Sequence, residues 1–490
     1  MSEAKESYRQ IMKATSIFGG VQFIQIIITV IRSKFVAVLL GPLGMGINGL
    51  LQSTTLLIAG ITNFGLGTSA VKSVAHAFGT GDEKKIATII AVVRKLVWFT
   101  GFLGCIVTLS LSSVLSKLTF GNYNYTWAFV WLSITLLINQ ISVGQNVVLR
   151  GTRRIKHMAK SSVIGSFLGL FTSLPLYYFF GNDGIVPALI ITSITTLLLT
   201  WYFSSKVELP TVSVSMDTVV RDGKEMMKLG FMLSLSSLIT LAASYVLRTY
   251  IGSIGGISQV GLYTAGFAII NTYVGMIFTA MSTDYYPRLA AVADNQEKRT
   301  ELINQQGEIA LLILGPLLCV FIVFISLIIH ILYSSKFIAI GEMVQWAALG
   351  VFFKAASWPV AFILVAKGKS KIFFANELAT NIYMLILNIV FYKYWGLNGL
   401  GVSFFLSYLI YYIQVYIITH TMFQYSMDMT FKKILLFNFA SGVACFLVYQ
   451  YFALTVVYIL GSLICLLIII ISFYMLNKKM DIIKIKKQTK

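Results

Sequence analysis

Four cations sit where a hydrophobic chain should carry none. Arg32 and Lys34 fall inside the first long apolar stretch, Arg248 inside the seventh and Lys354 inside the tenth. Charge at such depth is expensive, and it persists where it meets a water-filled hollow or a partner on a transport path. A guanidinium offers a planar fork matched to phosphate oxygens, and an ammonium offers a point charge. Arg32 lies too deep in its span to snorkel easily to either surface. Neither of the first two spans contains an acid. Arg32, Lys34 and Arg248 therefore read as cavity cations for an anionic group bearing phosphate, against the blander readings of snorkelling to an interface or pairing with a carboxylate. Lys34, two residues beyond Arg32, points from a different face of the same helix.

Lys354 and Glu377 form a second candidate set, for a cavity or for ion coupling. They could pair across neighbouring spans, which is a structural reading. If they do not, Glu377 is the candidate for a proton or cation site. Gln25, Asn48, Gln52 and Asn271 add intramembrane amides that can contact sugar hydroxyls, although joining helices is their commoner role. No catalytic constellation emerges. His76, His157, His330 and His420 are scattered, and Cys105, Cys319, Cys445 and Cys465 lie in apolar runs without metal spacing. The Gly-rich turns at 41–46 and 252–256 lack the strand-then-helix context of a nucleotide loop. The expectation is a non-enzyme with no metal or cofactor, with proton or sodium coupling left open.

The elements that hold these residues follow from composition. The chain of 490 residues is 57% hydrophobic and only 11% charged, against about 25% charged in a soluble domain; its mean hydropathy is +0.82. Apolar runs of about twenty residues indicate an all-α integral membrane protein rather than a β-barrel. Fourteen transmembrane helices are expected. The net charge of +20 does not point to nucleic acid, because the basic residues fall in the gaps between spans. With both termini on one side, that side holds 31 Lys and Arg and the other only Lys117, Lys336 and Lys393. By the positive-inside rule both termini are cytoplasmic. The first span reads as its own insertion signal. Every outer loop is short, which disfavours a membrane enzyme with an external catalytic domain.

The first twelve spans contain one six-helix unit twice. GNDGI at 181–185 matches GLNGL at 396–400, LRG at 149–151 matches AKG at 366–368, and GIN at 46–48 matches GLY at 261–263. Lys72 and Arg288, and Arg32 and Arg248, recur at nearly the same offset. An even-numbered unit repeats in parallel, so two pseudo-symmetric lobes would leave a cleft on an axis along the membrane normal. The expected division is an N-terminal six-helix lobe over 1–205, a cytoplasmic connector over 206–228, a C-terminal six-helix lobe over 229–422, an additional helical hairpin over 434–476, and a basic cytoplasmic tail over 477–490. The connector and the segment 285–306 are expected to form interfacial helices.

Three segments carry a resemblance: SKFVAVLLGPLGMGINGLLQ (33–52), QVGLYTAGFAIINTYVG (259–275) and DYYPRLAAV (284–292). Over about residues 10–420 the chain resembles the oligosaccharidyl-lipid flippases of the MOP superfamily, and most of all the Wzx-type O-antigen translocases. That resemblance implies two six-helix lobes working by alternating access. The cargo would be an undecaprenyl-diphosphate-linked oligosaccharide, moved from the cytoplasmic to the periplasmic leaflet of a bacterial inner membrane. Partners would be that lipid-linked oligosaccharide, membrane lipids, and a glycan polymerase or other assembly proteins. A lipid II or other lipid-linked glycan flippase is the alternative, ahead of a MATE-type multidrug exporter or a membrane glycan polymerase. Many Wzx-type members have twelve spans, and the last two helices here depart from that.

Overall fold

The computed structural model describes residues 2–480 except 209 and 211, and side chains over 24–478 except those of 209, 211, 273 and 283. Among the described residues eleven apolar helical stretches are long enough to cross a membrane, and three of them, Ile24–Thr62, Ile155–Ser204 and Ser370–Phe423, hold two crossings each. A bilayer core needs only about 20 helical residues. Each long stretch is broken near its middle by a glycine, at Gly41, Gly181 and Gly396. Two crossings in each of these three bring the total to the expected fourteen.

The breaks carry the repeat into the backbone. Gly181 (φ 55°, ψ −128°) and Gly396 (φ 55°, ψ −137°) adopt the same conformation. Gly41 (φ 65°, ψ −168°) and Gly256 (φ 82°, ψ 167°) form a second pair. Arg153 (φ 55°) and Gly368 (φ 64°) form a third. All three pairs are separated by 215 positions. At each break a left-handed residue ends one crossing and lets the next begin with almost no loop. Pro42 follows Gly41 at a helix start, where its missing N–H costs nothing.

The chain divides into two compact units, Met1–Gly261 and Leu262–Lys490. The first contains Ser2–Thr62 (α1), Leu66–Thr80 (α2), Glu83–Ser110 (α3), Ser112–Phe120 (α4), Thr126–Gly151 (α5), Ile155–Phe180 (α6), Ile185–Ser204 (α7) and Met216–Gly255 (α8). Helices α5, α6 and α7 pack on one another, α1 packs on α6, and α8 lies against α1 and α2. Small residues set the closest approaches: a Cβ on Gly65 or Gly230 would strike the backbone of the other, so α2 and α8 touch main chain to main chain. This packing moves the division expected at 206–228. The seventh span belongs by its contacts to the first unit, and the unit boundary comes at its far end. Ser215 caps α8, which runs unbroken from Met216 into the span. Among the described residues no separate interfacial helix forms there.

Helix Ile257–Ala268 (α9) begins just before the second unit. Gly275–Ala291 (α10), Gln296–Val323 (α11), Ile325–Leu332 (α12), Gly341–Ala366 (α13), Ser370–Phe423 (α14), Met429–Tyr451 (α15) and Leu454–Met480 (α16) follow. Segment 285–306 is likewise the end of α10 and the start of α11, with Asn295 capping the latter. Helix α11 is the hub: α13 and the α15–α16 hairpin both pack on it. Cys319, Cys445 and Cys465 meet there as hydrogen-bonded, buried thiols. The buried guanidinium of Arg299 donates to the carbonyls of Ala293 and Phe423, both at 2.7 Å. Tyr425 donates to Asn304 Oδ1 at 2.8 Å. Burial holds the Tyr425 phenol far above its ordinary value, so it stays a neutral donor. These bonds fasten the 423–428 link to α11. Of the basic tail, 481–490 lie outside the described residues.

Candidate functional site

Arg32 lines a polar cavity of about 390 Å³ inside the first unit, between α1, α5, α6 and α7. Four features of the local sequence build it. Helix α1 supplies Gln25 and Arg32, two turns apart on one face. Arg150 closes α5, where a cation also suits the helix's negative end. Helix α6 supplies Ser161, Ser162 and Ser166 with Gly165 and Gly169, small residues that leave the space open. Helix α7 supplies Thr192, Thr196 and Thr200 at i, i+4 spacing, hence on one face.

The chemistry of this lining is one-sided. It contains two guanidinium groups, amides and hydroxyls, and no carboxylate. Arg32 makes no ion pair among the described residues. Gln25 donates to Ser162 Oγ and so ties α1 to α6 at the cavity wall. Thr192 Oγ1 is buried with no hydrogen-bond partner among the described residues. Such a surface can receive an anion with several oxygens, or the hydroxyl-rich group attached to one.

The other predicted residues are distributed differently. Lys34 is half-buried on α1, and Arg248 is half-buried on α8, where its Nη1 donates to Ser244 Oγ at 2.6 Å. Neither lines the Arg32 cavity. Gln52 donates to Asn48 Oδ1 at 2.9 Å, one turn apart within α1, and Asn271 is exposed in the π-helical segment Ile269–Val274. Of the four amides expected at sugar, only Gln25 reaches the cavity.

Lys354 and Glu377 both lie in the second unit and do not form an ion pair. The Lys354 ammonium stands 5.1 Å from the ring centre of Tyr408 and 5.6 Å from that of Phe278. Glu377 instead hydrogen-bonds the Tyr411 side chain. Tyr408 and Tyr411 meet edge to face at 6.1 Å, so the two charges are linked through an aromatic pair. Tyr411 also hydrogen-bonds Asn376, which accepts from Gln414 at 2.8 Å. The cation is satisfied by ring faces and the carboxylate by a phenol, an arrangement that avoids burying a direct pair.

Sequence reasoning missed Arg150. It lies with Arg153 and Arg154 in one short basic stretch, and nothing in one dimension separates the three. The Thr192–Thr196–Thr200 stripe was visible as a period but carried no charge to draw attention.

Residues 35–342 match the family described as "Polysaccharide biosynthesis protein", which is more than half of the chain. The chain belongs to that family. Arg248 falls within the match, Arg32 and Lys34 just before it, and Lys354 and Glu377 beyond it. A curated relative, the lipid III flippase of Escherichia coli (strain K12), is 18% identical over 389 residues, 77% of this chain and 91% of that one. A structure of the lipid II flippase MurJ in an inward closed conformation superposes with TM-score 0.73 at 13% identity, covering 94% of this chain and 99% of that one. An inward-facing MATE-family multidrug resistance transporter of the MOP superfamily gives TM-score 0.66 at 18% identity, covering 86% of this chain and 99% of that one. At these identities the superpositions establish a multi-pass membrane transporter fold.

Proposed function

We propose that this protein is a flippase for a lipid-linked glycan, carrying an anionic sugar–phosphate head across a bacterial inner membrane. One observation carries the reading: the cavity of the first unit presents Arg32 and Arg150 among hydroxyls and amides, with no acid in its lining. Family membership, the distant lipid III flippase relative and the flippase-like fold support it. The fold is shared with MATE-family exporters, but a cavity for organic cations would need acids where this one has arginines. The role is transport rather than catalysis.

The finer reading is an undecaprenyl-diphosphate-linked repeat unit of the O-antigen kind, moved outward by alternating access, with both termini cytoplasmic. An inside-negative potential, worth about 2.3 kcal/mol per charge per 100 mV, favours outward movement of such a head. Lys34 and Arg248 are further candidate contacts for it, and a glycan polymerase is a natural partner downstream. In this reading Glu377 with Tyr411 is the site that exchanges a proton or a sodium ion during the cycle. The test is a vesicle assay with a fluorescent lipid-linked oligosaccharide diphosphate. Protein-dependent translocation that falls at least tenfold in Arg32→Ala is expected, since charge-assisted bonds are worth about 1.5–3 kcal/mol each. Wild-type protein that leaves this lipid in its original leaflet would end the proposal.

A further inference from the structure

Helices α1 and α6 form two hollows, and their chemistries are opposite. One is the polar cavity already described. The other, also of about 390 Å³, is lined by Ile24, Ile27, Ile28 and Ile31 of α1 with Val163, Ile164, Phe167, Leu168 and Leu170 of α6, and exposes no polar surface. The residues interleave along both helices. Gln25 and Arg32 lie together along one edge of the isoleucine stripe on α1, and on α6 the series Ser161, Ser162, Gly165, Ser166, Gly169 alternates with the apolar series. The Gln25–Ser162 hydrogen bond marks the seam where one hollow gives way to the other. Bare contact with membrane lipid asks only for an apolar surface. It does not ask for a concave apolar groove beside two arginines and a buried hydroxyl without a partner.

We infer that the α1–α6 seam is a bipartite site for a polyprenyl-phosphate lipid, its phosphate head among Arg32, Arg150 and Thr192, and its first isoprene units in the Ile27–Phe167 groove. The inference rests on the flippase reading for the identity of the lipid. Charge complementarity selects an anionic head, since the polar hollow holds two guanidiniums and no acid. The groove selects a chain rather than a free phosphate, because a soluble anion would gain nothing from it.

The experiment is photolabelling of the full-length protein in nanodiscs with a polyprenyl diphosphate that carries a photoreactive group near its diphosphate end, with labelled peptides mapped by mass spectrometry. Labels are expected in 24–31 and 163–170. Arg32→Ala combined with Arg150→Ala should lower labelling by about tenfold or more, as loss of bonds to charged groups requires. Leu168→Trp, which fills the groove, should lower it without removing either cation. Melting temperatures of both variants guard against simple misfolding, and Ile164→Trp serves as a second groove-filling variant. Labels elsewhere, or labelling unchanged by both kinds of variant, would overturn the seam. Equal displacement by phosphatidylglycerol would also overturn it, by showing a general phospholipid site; displacement by inorganic pyrophosphate alone would show an anion pocket without a chain site. Translocation measured on the same preparation separates the two proposals. Translocation without seam labelling sinks the seam alone, whereas seam labelling without translocation leaves the site standing and sinks the flippase.

Discussion

Lys354 and Glu377 carry opposite charges on helices that pack together, yet each has found an aromatic partner instead of the other. This has consequences that an ion pair would not. Exchanging the two charges in Lys354→Glu/Glu377→Lys should not restore the stability lost by either single change, because each new side chain would face the wrong ring or phenol. Lys354→Arg should be tolerated, since a guanidinium also stacks on aromatic faces. Lys354→Met should cost about 1–2 kcal/mol, the worth of a desolvated cation–π contact. Thermal unfolding in detergent checks all three, and full rescue by the double exchange would show that the charges pair after all. On the proposed coupling role, Glu377→Gln, which keeps an acceptor for Tyr411, should keep the fold and abolish the response of translocation to an imposed proton or sodium gradient, and a response equal to that of the wild type would remove Glu377 from that role. The depth and sign of these residues were legible in the sequence. Their partners were not, because Phe278 and Tyr408 arrive from other crossings and aromatic residues are too common in this chain to single out. Arg150 stayed hidden for a related reason: it is a helix-end cation like its neighbours until α6 and α7 fold over it.

Among the elements, the link between α14 and α15 depends on α11. Arg299 spans from Ala293 to Phe423, and Tyr425 and Ser426 are held by Asn304. Arg299→Met should therefore cost about 2–4 kcal/mol, as two carbonyls lose a charged donor in a buried place, and Tyr425→Phe about 1 kcal/mol. Limited proteolysis should then cut first within 423–428, and an unchanged cleavage pattern would show that the link is held by other contacts. A nearby pair behaves differently. Lys367 bonds Asp294 at 2.6 Å on an exposed surface, and that hydrogen bond and charge hold the Asp294 carboxyl below its ordinary value. A lowered folded pKa means a contribution that is complete above the unfolded value and is lost as pH falls through the folded one. Asp294→Asn should thus lower stability slightly at neutral pH, where the contribution of this exposed pair is complete but small, and should abolish the matching small loss of stability as pH falls through the acid range. In the sequence both links are polar gaps between apolar runs. The sequence could not announce that one is a buried clasp and the other a surface pair, since burial depends on how α11 meets the hairpin.

At the scale of the whole chain, the duplicated unit is written most plainly in the residues that are not helical. Apolar periodicity gave fourteen crossings because hydrocarbon thickness leaves little freedom in span length. Contacts followed a different rule: the seventh span packs with the first unit although the repeat assigns it to the second copy, and no hydropathy pattern encodes that choice. The turn residues can be tested directly. Gly181 and Gly396 occupy a region of φ and ψ that side chains avoid, and a Cβ at either would meet nothing within 4 Å. Gly181→Ala and Gly396→Ala should each cost about 1–3 kcal/mol from backbone strain alone, in similar amounts, and the double change should cost the sum. The third pair predicts the opposite sign. Arg153 holds with a side chain the left-handed φ that Gly368 holds without one. Arg153→Gly should stabilise the protein by about 1 kcal/mol, and Gly368→Ala should destabilise it by a comparable amount. Melting temperatures measured in one detergent decide it. A loss of stability in Arg153→Gly would mean that this side chain makes a contact its counterpart does without, and that the two copies have diverged at this turn.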